Sequence, residues 1–169
     1  HSLGLPSEFE DALQKRATNI DHSVRQSVPI SVKTRIGYDK PVTHEWVSHL
    51  LEMDLSVITL HGRTLEQHYS GTANWEEIAK GAALAHQTKT LLFGNGDLTK
   101  PEQIVERVKQ TQVDGVWIGR AAMGNPWIFT QYRSYKESGI YDEPTIHERF
   151  RVALEHAQLF EKLNKTEFT

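Results

Sequence analysis

Four short apolar runs, each followed by a helical stretch, constrain this chain more than any other feature. The runs begin near residues 30, 55, 90 and 115: Ile30-Ser31-Val32-Lys33-Thr34-Arg35-Ile36, Leu55-Ser56-Val57-Ile58-Thr59-Leu60, Leu91-Leu92-Phe93 and Gly115-Val116-Trp117-Ile118-Gly119-Arg120. β-branched residues on alternate positions mark the first as a strand. Helices are predicted over 43–53, from Asn74 to about 87, and from Thr99 to 110. Further helices are predicted from Asn125-Pro126 to Gly139 and from Glu143 onward. Strand and helix in strict alternation specify a parallel sheet covered by helices. The repeat of about 25 to 35 residues matches an eight-unit (β/α)8 TIM barrel, at roughly 31 residues per unit. Four units make half of one. A doubly wound open sheet shares the alternation, but no Gly-x-Gly-x-x-Gly follows the first strand.

Helix caps agree with these boundaries. Asn74 with Glu77, Thr99 with Glu102, and Thr145 with Glu148 each pair a capping residue with an acid three residues on. An amphipathic helix is also predicted over 7–26, with Phe9, Leu13, Ala17, Ile20 and Val24 on one stripe. The last helix carries a second stripe, Ile146, Phe150, Leu154, Ala157 and Phe160.

Composition excludes several classes. Hydrophobic content of 38% and charged content of 24% suit a globular chain, and a net charge of −3 gives no global signal for nucleic acid. There is no cysteine, so disulfides, thiolate metal sites and a cysteine nucleophile or acid are absent from these 169 residues. No metal site is predicted. No apolar run approaches the roughly 18 residues of a membrane span, and no signal peptide is visible. The chain starts at His1 without a methionine, which reads as a fragment or a processed chain.

Polar residues gather at the carboxyl ends of the strands. Lys33, His61, Asn95 with Asp97, and Arg120 each fall at or just past such an end. Loops at that end carry the chemistry of α/β barrels, and the last two often hold a phosphate. Gly94 and Gly96 let the backbone approach a ligand or adopt positive φ. Gly119-Arg120 forms a natural phosphate clamp from backbone N–H groups and a guanidinium. The loop 64–73 is long and polar, the kind that tends to be functional. Taken singly, each residue has a plainer reading. Lys33 could snorkel, His61 could be structural, and Arg63 and Arg120 could be surface ion-pair partners. A polar residue at all four strand ends is what those readings explain poorly.

The segments Ser31-Val32-Lys33-Thr34-Arg35, Thr59-Leu60-His61-Gly62-Arg63-Thr64 with Gln67-His68-Tyr69-Ser70-Gly71, Asn74-Trp75, Gly94-Asn95-Gly96-Asp97 and Ile118-Gly119-Arg120-Ala121-Ala122-Met123-Gly124-Asn125-Pro126-Trp127 together resemble the tRNA-dihydrouridine synthases. That resemblance implies an FMN-dependent enzyme that reduces C5=C6 of uridine in tRNA and is recharged by NADPH. Residues 1–139 would form the C-terminal half of the FMN-binding TIM barrel, and 140–169 the beginning of a helical tRNA-binding domain. Lys33, His61, Asn95, Gly96, Asp97, Gly119 and Arg120 would hold FMN, with Gly119 and Arg120 on its phosphate. Arg63 would face the tRNA. The family's catalytic cysteine would lie in the other half-barrel, so no catalytic residue is expected here and the chain alone should be inactive. Its partners would be tRNA and either the missing half-barrel in cis or a second copy of the chain, in the cytoplasm, with no membrane. Two other readings stay open. One is a non-catalytic RNA-binding remnant of the fold, and the other an FMN-barrel oxidoreductase of the dihydroorotate dehydrogenase type.

Overall fold

The computed structural model describes residues 28–166. The helix expected over 7–26 lies outside the described residues. Four strands form one parallel sheet in the order β1-β2-β3-β4: β1 (Ser31–Arg35), β2 (Val57–His61), β3 (Leu91–Asn95) and β4 (Gly115–Trp117). The intervening helices are α1 (Thr43–Leu51), α2 (Trp75–Ala85) and α3 (Pro101–Thr111). Then follow a short α4 (Arg120–Gly124), α5 (Ile128–Ser138) and α6 (Ile146–Thr166). Four parallel βα units in sequence order are the architecture expected for part of a TIM barrel.

Register determines which side chains share a face. Alternate residues along a strand point to opposite sides of the sheet. One side carries Val32, Ile58, Leu60, Leu92 and Val116 into the helix layer. There Ile58, Leu60 and Leu92 are fully buried against Val47, Ile78, Ala82 and Ile104. Each such aliphatic side chain contributes about 1.5–3 kcal/mol on burial. The other side is built in rungs. Ser31, Val57 and Leu91 are paired neighbours, then Lys33, Thr59, Phe93 and Gly115, then Arg35, His61, Asn95 and Trp117. The polar rung stands at the carboxyl ends.

Several boundaries differ from expectation. β4 stops at Trp117 instead of running to Arg120, because Gly119 (φ −103, ψ −106) turns the chain into α4. α5 starts at Ile128, with Trp127 at the cap position, rather than at Asn125-Pro126. Asn125 instead donates from Nδ2 to Gln131 Oε1 at 2.8 Å. At α3 the side chain that reaches back is Gln103, not Glu102. Its Oε1 accepts from the N–H groups of Thr99 (2.9 Å) and Lys100 (3.1 Å). The other two caps form as expected. Asn74 Oδ1 accepts from Glu77 N–H at 3.1 Å, and Thr145 and Glu148 cap each other reciprocally.

The linker into α6 is tied down by side chains. Gln131 Nε2 donates to Asp142 O at 3.2 Å, and the Tyr141 hydroxyl donates to Glu102 Oε1 at 3.2 Å. The apolar stripe of α6 is exposed, with Ile146 at 75% and Phe150 at 73%. Among the described residues no helix is long and apolar enough to cross a membrane.

Candidate functional site

The polar rung opens into a cavity of about 530 Å³ at the carboxyl ends of the strands. Lys33, His61, Asn95, Gly96, Asp97, Gly119 and Arg120, read from sequence as one set, all line it. A larger, open trough of about 690 Å³ lies outside, over the start of α2. Its charged residues, Asp39, Glu76 and Arg107, sit among Ile36, Pro41 and Ala79 and do not repeat the strand-end pattern. The smaller cavity is therefore the candidate site.

Arg63 departs from its expected direction. It is 2% exposed, with its guanidinium turned into the protein rather than outward. Nη1 and Nη2 bind the two oxygens of Asp97 at 2.8 and 2.9 Å. Nε donates to Ser70 O at 3.3 Å and Nη2 to Gly71 O at 2.6 Å. With those donors committed inside, Arg63 is a pin between the end of β2, the loop and the end of β3. Asp97 is correspondingly engaged, since it also accepts from Ala73 N–H at 2.7 Å. Burial alone would raise its carboxyl. The bonds from Arg63 and Ala73, with the charges of Arg63 and Arg120, outweigh that and hold it below the ordinary range.

The two glycines of the β3 turn do different things. A Cβ on Gly94 would meet the Trp75 ring at 2.5 Å, so Gly94 clears space for a core indole rather than for a ligand. Gly96 adopts φ +139, and a Cβ there would collide with Ala73. That turn brings its carbonyl to Trp75 Nε1, which donates at 3.1 Å.

His61 is 9% exposed, on the polar rung. Burial, then the cations Arg35, Lys33 and Arg63, push its pKa from 6.5 down to about 4, against the opposing pull of Asp97. It is a neutral imidazole near pH 7, able to hydrogen bond but carrying no charge. Lys33 is also lowered, by burial and then by Arg35. The cations that reach the cavity are therefore Lys33, Arg35 and Arg120.

Among the lining residues not read from the sequence as site residues, three large side chains stand out: Arg35, Trp117 and Tyr69. Arg35 stands two positions after Lys33 and so on the same face, and Nη1 donates to Thr64 O at 2.7 Å and His68 O at 3.3 Å. Period-two alternation alone could have found it. Trp117 completes the polar rung, and Asn95 Nδ2 donates to its carbonyl at 2.7 Å. Tyr69, 67% exposed, stacks on the Arg120 guanidinium at 4.6 Å. Arg120 Nη2 also lies 3.7 Å from Asp97 Oδ1. Nothing in the local pattern around Tyr69 announces that contact, which depends on how the loop folds over the strand ends.

The loop itself is built, not slack. Thr64 N–H donates to Gln67 Oε1 at 2.8 Å, and Leu65 and Glu66 N–H donate to the carbonyls of Gly37 and Tyr38. Among the described residues no group of three or more His, Asp or Glu could hold a metal ion.

A parallel βα sheet with a polar cavity at its carboxyl ends defines a class, the α/β proteins that bind ligands at the strand ends, and its four units are consistent with part of a TIM barrel. Within that class, residues 8–168 match the model of the dihydrouridine synthase (Dus) family, and the chain belongs to it. It is 34% identical over 110 residues to a probable tRNA-dihydrouridine synthase of Aquifex aeolicus, across 65% of this chain and 34% of that protein. It is 40% identical over 111 residues to a tRNA-dihydrouridine(47) synthase-like protein of Xenopus laevis whose name includes NAD(P)(+). That match spans 64% of this chain and 17% of the other. With tRNA-dihydrouridine synthase B of Pasteurella multocida it shares 30% identity over 154 residues, 89% of this chain and 45% of that protein. The chain thus spans less than half the length of these relatives.

Proposed function

We propose that this chain is the FMN-holding part of a tRNA-dihydrouridine synthase. The observation that carries the reading is the convergence of seven strand-end residues, distant in sequence, on one cavity of about 530 Å³. That volume is within the range of small-molecule sites, and its chemistry suits an anionic planar cofactor with a phosphate tail. Arg120, exposed and already beside a carboxylate, has the fork that a phosphate needs, with the Gly119-Arg120 backbone next to it. Lys33 supplies a positive charge toward the ring. His61, uncharged, supplies a hydrogen bond.

Lys33, His61, Asn95, Asp97 and Arg120 would hold FMN there, and the group would supply the hydride chemistry for reducing C5=C6 of a tRNA uridine, with NADPH as the reductant. The chain's own residues bind and orient the FMN. Asn95 is fixed by its bond to Trp117 O, and Asp97 and Arg63 hold the loop that borders the cavity. The proton that completes the reduction comes from a cysteine by family resemblance, and these residues contain none. The catalytic acid therefore belongs outside this chain, which holds the cofactor but no catalytic residue. Residues 140–169 begin the helical tRNA-binding domain, and the enzyme acts in the cytoplasm.

FMN titration of the chain, read by quenching of flavin fluorescence, tests this. Saturable binding weakened tenfold or more by Arg120→Ala is expected, from loss of one charge-assisted contact of about 1.5–3 kcal/mol. Unchanged affinity would refute the phosphate assignment. The missing cysteine favours a second reading, an RNA-binding remnant. Retention of tRNA on a filter without any flavin binding would select it.

A further inference from the structure

Lys33 and Trp117 come from opposite margins of the sheet, yet Lys33 Nζ lies 5.0 Å from the centre of the indole. Lys33 is in the middle rung on β1, and Trp117 is in the polar rung on β4. Both line the cavity, so the pair reaches across it from the first strand to the last. Left to itself, a lysine near a strand end extends its four-carbon stem into water, where its rotamers are free. This one is drawn inward, its ammonium over an aromatic face where the ring quadrupole attracts a cation.

The backbone that carries the indole is fixed independently of Lys33. Asn95 Nδ2 holds the Trp117 carbonyl at 2.7 Å, and the two residues are paired in register. A Cβ on Gly119 would stand 3.3 Å from Trp117 Cζ3, so glycine gives the ring clearance. Trp117 is 46% exposed although it lies on the cavity side, so it offers an open face rather than a core contact. A large aromatic with a fixed backbone and an open face next to a flexible cation is a device for positioning that cation.

We propose that Trp117 is the positioning residue for Lys33, holding its ammonium over the cavity where an anionic planar ring would lie. The nature of that ring rests on the flavin reading above, whereas the hold of Trp117 on Lys33 does not. A phenylalanine should largely replace the indole, and a leucine should not.

A double-replacement cycle on the full chain tests this, with FMN as the probe and flavin fluorescence as the readout. Trp117→Leu is expected to weaken FMN binding about fivefold, and Trp117→Phe by no more than about twofold. In a Lys33→Ala background, Trp117→Leu should cost nothing further, since the group it positions is gone. An equal loss in both backgrounds would overturn the proposal, because the indole would then act on the ligand directly or only through the fold. The second readout needs no ligand. The Lys33 ε-methylene protons, assigned by their loss in Lys33→Ala, should be shifted upfield by the indole ring current. They should return to the ordinary lysine position in Trp117→Leu and recover part of the shift in Trp117→Phe. An ordinary position in the unmodified chain would overturn the proposal outright. A shifted signal without saturable FMN binding would uphold the positioning and reject the flavin reading alone.

Discussion

Arg63 and Asp97 meet in a two-pronged ion pair, at 2.8 and 2.9 Å, with the arginine side chain only 3% exposed. They are 34 residues apart, and the pair joins the end of β2 to the end of β3. Through Ser70, Gly71 and Ala73 it also fixes the far end of the loop that carries Tyr69. The shape of the cavity rim is therefore decided by one buried guanidinium.

Breaking the pair from the acidic side should be costly. Asp97→Ala leaves Arg63 buried without its counter-charge and is expected to destabilise by about 3–5 kcal/mol. Asp97→Asn keeps an acceptor and should cost less. The urea midpoint of each variant, compared with the unmodified chain, measures this. A loss below about 1 kcal/mol in Asp97→Ala would mean that the pair is not the pin described.

Acid should weaken the fold through His61. Its pKa falls from 6.5 unfolded to about 4 folded, so between those values the unfolded chain binds the proton more readily. The stability it supports is complete above pH 6.5 and declines as pH falls toward 4. Asp97, held below its ordinary value, adds a further loss only at lower pH. His61→Gln should flatten the slope of unfolding free energy between pH 6.5 and 4. An unchanged slope would show that another group carries it.

Much of the fold was legible because the parallel strands repeat one pattern. A short apolar run, a polar strand end and a following helical stretch mark each of the first three units, and each forms near its expected place. The fourth unit shows where sequence runs short. Arg120–Gly124 is five residues long, too short for a helical period to register, and the turn at Gly119 depends on tertiary fit. Among the site residues, position at a strand end could be read but direction could not. Arg63 follows His61 by two, yet one lines the cavity and the other turns into the protein. A guanidinium has several rotamers, and only the folded loop, with its free carbonyls at Ser70 and Gly71, selects among them. Arg35 and Trp117, by contrast, were available from the same alternation that located Lys33.

Gly96 is set for a large backbone effect. At φ +139 an L side chain is strained, and its Cβ would overlap Ala73, which also bonds Asp97. Gly96→Ala is expected to cost about 1–3 kcal/mol or more, comparable to a forced unfavourable conformation. Thermal melting of the variant is the measurement, and a melt equal to that of the unmodified chain would show that the turn relaxes freely.

The last expectation concerns the chain expressed as residues 1–169. In the described sheet β1 pairs only with β2 and β4 only with β3, so each offers one unpaired edge. Leu91 and Trp117 on the cavity face are 45% and 46% exposed. Along α6, Ile146, Phe150, Leu154 and Phe160 are all more than 60% exposed. Together these surfaces exceed the scattered apolar exposure that soluble monomers tolerate. Self-association is expected, either as aggregate or as two half-barrels paired edge to edge into an eight-stranded ring. Replacing Phe150 and Phe160 together by Glu removes much of the α6 stripe without touching the strands, so association that survives it points to the edges. Sedimentation decides the matter. A well-behaved 19.3 kDa monomer with cooperative melting would show that four strands need less cover than these exposed faces imply.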